Sequence, residues 1–333
     1  MARTAVVTGG SAGIGLATAA KLARDGWSVA IIARDQARLD EAAAFLKAHG
    51  GEVLAISADV ADAAAVDSAA DRIEAELGPI GAWVNNAMST VVAPADRITA
   101  AEYQRVTATT YLSQVYGTLA ALRHMKPRGR GAIVQISSGL GIRGVPLQAA
   151  YCGAKFAVSG FTDALRSELI ADRVGVTLSV VYLPGVNTPQ PTWARNKTGR
   201  KQVIPDPLFD PRLCAEAIAS AINDPQREIW VGRSTLKIAI GQTLAPSFSD
   251  RQASGFGAQQ QGEAADDRPD NLEEAVPGPA LIDGPATDRV KPTRAEYFTS
   301  RQRDLLKAGA VAGVAGAGAL AGFGLARALP RLR

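Results

Sequence analysis

Thr8-Gly9-Gly10-Ser11-Ala12-Gly13-Ile14-Gly15 follows the apolar run Ala5-Val6-Val7 near the start of the chain. Thr4–Thr8 reads as a strand and residues 13–25 as a helix, so the glycines sit at a strand-to-helix turn, the context that gives such a motif meaning. Gly9 allows the tight turn, Gly13 lets backbone approach a pyrophosphate, and Gly15 allows close packing of helix on strand. The helix start adds free amides and partial positive charge, which suit an anion. Thr8, Gly9, Ser11, Gly13, Ile14 and Gly15 are therefore candidate contacts for a dinucleotide.

Strands and helices alternate onward from this turn. Ser28–Ala33 carries Val29, Ala30, Ile31 and Ile32 in unbroken sequence, as a strand covered on both faces requires. Further strands are expected at Val53–Ser57, 81–84, 131–137, 175–182 and 227–231. Helices are expected from Asp35 to Gly50-Gly51, from Asp62 to Gly78-Pro79, from the capping box Thr99-Ala-Ala-Glu102 to about Met125, over Ala149–Ala171, and over 210–223. This alternation implies an α/β fold, a doubly wound and mainly parallel sheet with helices on both faces, over residues 1–244.

The end of the second strand bears on cofactor choice. A carboxylate there would bind a ribose 2′-hydroxyl and repel a 2′-phosphate. The chain has Ala33 there, followed by Arg34, whose guanidinium can take a phosphate bidentately. NADP(H) is therefore favoured over NAD(H). Asp59, after the third strand, is a candidate acceptor for the adenine amino group, or alternatively caps a turn. Asn85-Asn86-Ala87 ends the fourth strand, where a buried amide side chain can tie neighbouring strands together.

Ser138 closes the fifth strand, and Tyr151 and Lys155 follow at i, i+4 on one helix face. Free tyrosine, with a pKa of ~10, is a poor proton relay at neutral pH. A nearby ammonium would lower that value. A hydroxyl at Ser138 can donate to a substrate oxygen where charge develops. These three residues behind a dinucleotide loop point to hydride transfer between a nicotinamide and a carbonyl/alcohol pair.

With these motifs in order, residues 1 to about 240 resemble the short-chain dehydrogenase/reductase family. Pro184-Gly185-Val186-Asn187-Thr188 is similar to the family's Pro-Gly-x-x-x-Thr, so the resemblance adds Pro184, Gly185 and Thr188, together with Asn86 and Ala87, to the cofactor contacts. It implies a single Rossmann-type domain, frequent homodimers or homotetramers, Tyr151 as acid/base, Ser138 orienting the carbonyl, and Lys155 also binding the nicotinamide ribose. Two positions depart from the pattern. Met88 stands where the family usually has Gly. Thr110 stands where a mid-helix Asn holds a water for proton relay, making Thr110 a candidate catalytic residue. These departures leave a rival reading, a catalytically weak nucleotide-sensing or scaffold protein on the same fold.

The apolar fraction of 47% and charged fraction of 20% are ordinary for a globular chain of 333 residues. A net charge of +4 does not argue for nucleic acid, and no Cys/His spacing suggests a metal. The two cysteines, Cys152 and Cys214, cannot frame a disulfide scaffold, and no signal peptide is read at the N-terminus; a cytoplasmic, reducing location is expected. Leu140, Ile142, Val145, Pro146 and Leu147 suggest an apolar substrate wall. Trp193, Arg195, Lys197, Arg200 and Lys201 suggest a mobile lid or a contact for an acidic substrate or anionic lipid.

Residues 245–300 are polar and Pro/Gly-rich, and read as a poorly ordered linker or as a strap anchored by Leu281-Ile282 and Tyr297-Phe298. Residues 308–326 carry no charge and form a candidate membrane segment, which would span about 28 Å as a helix. Their richness in Ala and Gly leaves membrane contact and a peripheral tail equally open.

Overall fold

The computed structural model describes residues 3–292, 296–302, 304 and 305. The candidate membrane segment 308–326 lies outside the described residues, and among them no helix is long and apolar enough to cross a membrane.

The first half alternates as expected: β1 (Thr4–Thr8), α1 (Gly13–Arg24), β2 (Ser28–Ala33), α2 (Gln36–Lys47), β3 (Val53–Ser57), α3 (Ala63–Glu76), β4 (Ile80–Asn85) and a short β5 (Val91–Val92). Next come α4 (Ala100–Thr107), a π turn (Ala108–Leu112), α5 (Ser113–Arg128), β6 (Gly131–Ser138), α6 (Ala149–Ala171) and β7 (Val176–Leu183). The second half adds α7 (Gln190–Trp193), β8 (Arg195–Asn196), β9 (Arg200–Gln202), α8 (Pro211–Asn223), β10 (Glu228–Val231) and α9 (Arg233–Leu244). It ends with α10 (Pro246–Ser254), α11 (Phe256–Gln259), β11 (Gln261–Ala264) and β12 (Tyr297–Thr299).

Eight strands form the main sheet in the order β12-β10-β7-β6-β4-β1-β2-β3. All pairings within it are parallel except that of β10 with β12. This is a Rossmann-type, doubly wound fold. One core packs α1, α2 and α8 on one face, and a second packs α3, α5 and the end of α6 on the other. Order reverses between β1 and β4, so the crevice for a ligand opens at the carboxyl ends of those strands.

Local chemistry sets the helix starts. Asp35, Asp62 and Asp210 accept backbone N–H bonds at the starts of α2, α3 and α8. Thr99 and Glu102 form the expected capping box on α4. Each such cap contributes about 1 kcal/mol. The helix expected from Thr99 onward is interrupted by the π turn at 108–112, a feature common at functional sites.

The chain beyond Leu244 differs from a poorly ordered linker. After the α9–α10–α11 turns, β11 pairs with β9, and residues 268–291 run as a strap along the carboxyl edge of the sheet. Its polar composition, which suggested disorder, is compensated by the domain's own side chains. Arg34, Arg38, Arg105 and Asn187 all donate to strap carbonyls. Ala280 and Ile282 pack against the core, and β12 covers the β10 edge.

Candidate active site

One cavity of about 430 Å³ runs from the glycine turn to the end of β6. Gly9, Ser11, Gly13, Ile14, Gly15, Arg34, Asp59, Asn86 and Ala87 line one part of it. Ser138, Tyr151, Lys155, Pro184, Gly185 and Thr188 line the rest. Thr8 and Thr110 are the expected contacts that do not line it.

At the glycine turn, a Cβ on Gly15 would stand 2.1 Å from the Gly9 carbonyl oxygen and 2.6 Å from Asn86 Nδ2, so only glycine lets α1 start so close to the turn. No side chain caps α1, whose Gly13 amide donates instead to the Leu281 carbonyl at 2.8 Å; a helix start of this kind suits an anion. Thr8 instead builds the scaffold: its hydroxyl accepts from the Asn86 and Ala87 amides at 2.9 and 3.1 Å. Asn85 is the strand-tying amide, donating to Gln135 and Thr118 and accepting from Trp83.

At the chemical end, Ser138 and Tyr151 line the same part of the cavity, and the Ser138 hydroxyl accepts from the Leu140 amide at 3.1 Å. Lys155 is 1% exposed, and its Nζ donates to the Ile136 carbonyl at 2.6 Å. The same Nζ lies 5.6 Å from the centre of the Tyr151 ring. The phenol pKa is not lowered as expected. Burial pushes it above the ordinary tyrosine value, against a smaller opposing effect from Ser138. Burial also lowers the Lys155 pKa to about 7. Cys152 is buried, and burial raises its thiol pKa, so nothing activates it as a nucleophile.

Thr110 differs from the expected water holder. It is fully buried, donates to the Ser89 carbonyl at 2.7 Å and accepts from the Ser89 amide at 3.0 Å. Its single proton is therefore committed to tying the π turn to the loop after β4. Its neighbour Thr109 lines the cavity, with a buried hydroxyl that has no hydrogen-bond partner among the described residues. The π turn shifts the register, and the Thr109-Thr110 doublet gives no sequence signal of which residue faces the cavity.

Arg34 also differs from a free phosphate ligand. Its guanidinium donates to the strap carbonyls of Asn271 at 2.6 Å and Glu273 at 2.5 Å. Arg38, unremarked in the sequence, lines the same cavity end, donates to the Gly278 and Val276 carbonyls, and stacks 4.4 Å over Trp193. Asp59 is paired with Arg105 at 2.6 Å.

The basic run expected to form a lid is pinned. Arg195 pairs with Asp270 at 2.8 Å, and Lys197 pairs with Glu102 at 3.0 Å. Of the expected apolar wall only Leu140 lines the cavity, joined by Met88, Val186, Ile204, Ile238 and Phe256.

A family model for short chain dehydrogenases matches residues 3–198. An uncharacterized oxidoreductase of Bacillus subtilis, YxnA, is 32% identical over 248 residues, covering 74% of this chain and 70% of the relative. A 3-dehydrosphinganine reductase of Danio rerio is 34% identical over 248 residues, covering 73% of this chain and 70% of the relative. Among solved structures, an alcohol dehydrogenase of Thermococcus sibiricus complexed with 5-hydroxy-NADP superposes with a TM-score of 0.60. It is 25% identical and covers 69% of this chain and 96% of its own. The chain belongs to the short-chain dehydrogenase family of nicotinamide-dependent oxidoreductases.

Proposed function

We propose that the protein is an NADP(H)-dependent reductase or alcohol dehydrogenase whose substrate carries its carbonyl or alcohol on an apolar body. The observation that carries this reading is the single cavity shared by the glycine turn and by Ser138, Tyr151 and Lys155. A nicotinamide dinucleotide fits these residues, because α1 lacks a side-chain cap and Gly15 lets the helix start directly against the glycine turn. When bound, the nicotinamide supplies or accepts the hydride.

The roles of this chain's residues follow from their chemistry. In reduction, the Tyr151 phenol donates its proton to the substrate oxygen as charge builds there. The Ser138 hydroxyl turns toward the same oxygen and stabilises that charge. Lys155, held by Ile136, keeps positive charge behind the phenol once protonated and so favours the phenolate left after transfer. Thr188, whose side chain abuts Gly13, is suited to hold the nicotinamide end. Six apolar side chains (Met88, Leu140, Val186, Ile204, Ile238 and Phe256) leave room for a hydrocarbon rather than a charged substrate.

Preference for NADP(H) rests on the absence of a carboxylate at Ala33 and on two guanidinium groups, Arg34 and Arg38, at that end of the cavity. Both donate to strap carbonyls, and Arg38 also lies 3.5 Å from Asp35; their guanidinium charge suits a 2′-phosphate. The test is a panel of aliphatic and aromatic ketones and alcohols, assayed by nicotinamide absorbance with NADPH, NADH and their oxidised forms. Turnover with NADPH that exceeds turnover with NADH supports the reading. Cofactor binding without turnover of any substrate counts against it, and turnover favouring NADH removes the NADP(H) preference.

A further inference from the structure

The strap is bonded to the cavity rim at several separate points. The Asn271 amide donates to the Trp193 carbonyl at 2.8 Å, beside the Arg34 contacts. Leu272 is fully buried in a satellite core with Val91, Ile98, Val106, Ala150 and Ala154. Ala150 and Ala154 flank Tyr151 and Lys155 on α6, so the strap is anchored on the catalytic helix. Farther along, the Gly13 amide donates to the Leu281 carbonyl at 2.8 Å. Asn187 then bonds Gly284 and Ala286 beside Thr188. Gly284 seats so closely that a Cβ would stand 2.3 Å from the Thr188 carbonyl oxygen. Between these attachments, Asn271, Ala275 and Val276 line the same cavity as the glycine turn. The strap therefore lines the cavity and also takes the Gly13 amide of the glycine turn.

We propose that residues 268–286 are the outer wall of the dinucleotide site, with Asn271, Ala275 and Val276 against the adenosine half, and that cofactor exchanges only when this strap lifts. The proposal rests on the nicotinamide-dinucleotide reading above. Arg34, Arg38 and Gly13 bond to backbone carbonyls of the strap, and ion pairs of Arg195 with Asp270 and of Arg212 with Asp283 add to its grip. Leu272 supplies the apolar anchor at one end, and the close seat of Gly284 supplies the other.

The experiment measures NADPH release by stopped-flow fluorescence, with excess NADP⁺ as displacer, for the full chain and for Leu272→Ala and Gly284→Val separately. Circular dichroism establishes that each variant is folded, and if one fails to fold the other decides. The expected result is release faster by about tenfold or more in the folded variants, as loss of a buried anchor favours the open form. Association also quickens, because the same opening admits cofactor. Release at the wild-type rate overturns the proposal. So does tighter binding with unchanged release, which would make the strap a competitor of the cofactor. If neither wild type nor variants bind NADPH, the cofactor reading itself fails and the proposal with it.

Discussion

Lys155 Nζ donates to the Ile136 carbonyl at 2.6 Å, two residues before Ser138 on the same strand. The carboxyl end of β6 thus carries both the Lys155 anchor and Ser138, which lines the cavity with Tyr151. Burial lowers the Lys155 pKa to about 7, below its ordinary value. Between pH 7 and the unfolded lysine value, the unfolded chain binds more protons than the folded one. Stability from this group therefore climbs as pH rises through that window and is lost as pH falls toward 7. Thermal unfolding of the cofactor-free protein from pH 6.5 to 9, beside Lys155→Met, checks it: wild type gains more over the window than the variant. Parallel curves would contradict the shift.

Tyr151→Phe removes the phenolic proton while keeping the ring in place. Turnover should fall by about 10³-fold or more, the scale of general acid catalysis. NADPH affinity, measured by fluorescence titration, should stay within about threefold, since one neutral hydrogen bond is worth only about 1 kcal/mol. A variant with near wild-type turnover would remove Tyr151 from its role.

Arg34→Ala separates phosphate recognition from strap holding. Loss of a charge-assisted contact to phosphate weakens NADPH binding by roughly 10- to 100-fold. Loss of the strap bonds alone affects NADH and NADPH alike. The ratio of the two dissociation constants is the readout, and an unchanged ratio would assign Arg34 to the strap only.

Thr110→Val leaves the Ser89 amide and carbonyl without their partner inside the protein. Urea unfolding should show a loss of about 1–3 kcal/mol, the cost of unsatisfied buried groups. Thr109→Val removes a hydroxyl that has no partner among the described residues, so its stability should change little while kcat falls. Equal kinetic effects at the two positions would reverse the assignment made from the π turn.

Much of this was legible in the order of residues because the causes are local. The glycine turn, the Asp35 and Asp62 caps, the Thr99–Glu102 box and the i, i+4 spacing of Tyr151 and Lys155 each act within a few residues. Unbroken apolar strands likewise announce burial on both faces, as in β1 and β2. Asn85 as a strand-tying amide was also readable, because a buried amide at a strand end has few other uses.

What escaped the sequence depends on groups far apart in the chain. Thr109 and Thr110 exchange expected places because a π turn adds a residue to one helical turn, and that strain is set by packing on Ser89. The pKa of Tyr151 moves up where local spacing pointed down, because desolvation sums over every atom around the phenol. Residues 268–291 look like a chain unable to bury itself, yet they are ordered by arginines some 170 to 240 positions away. Composition reports how much apolar surface a segment brings. Only the tertiary structure decides whether distant donors will pair its backbone, and here that decided which surface closes over the cofactor cavity.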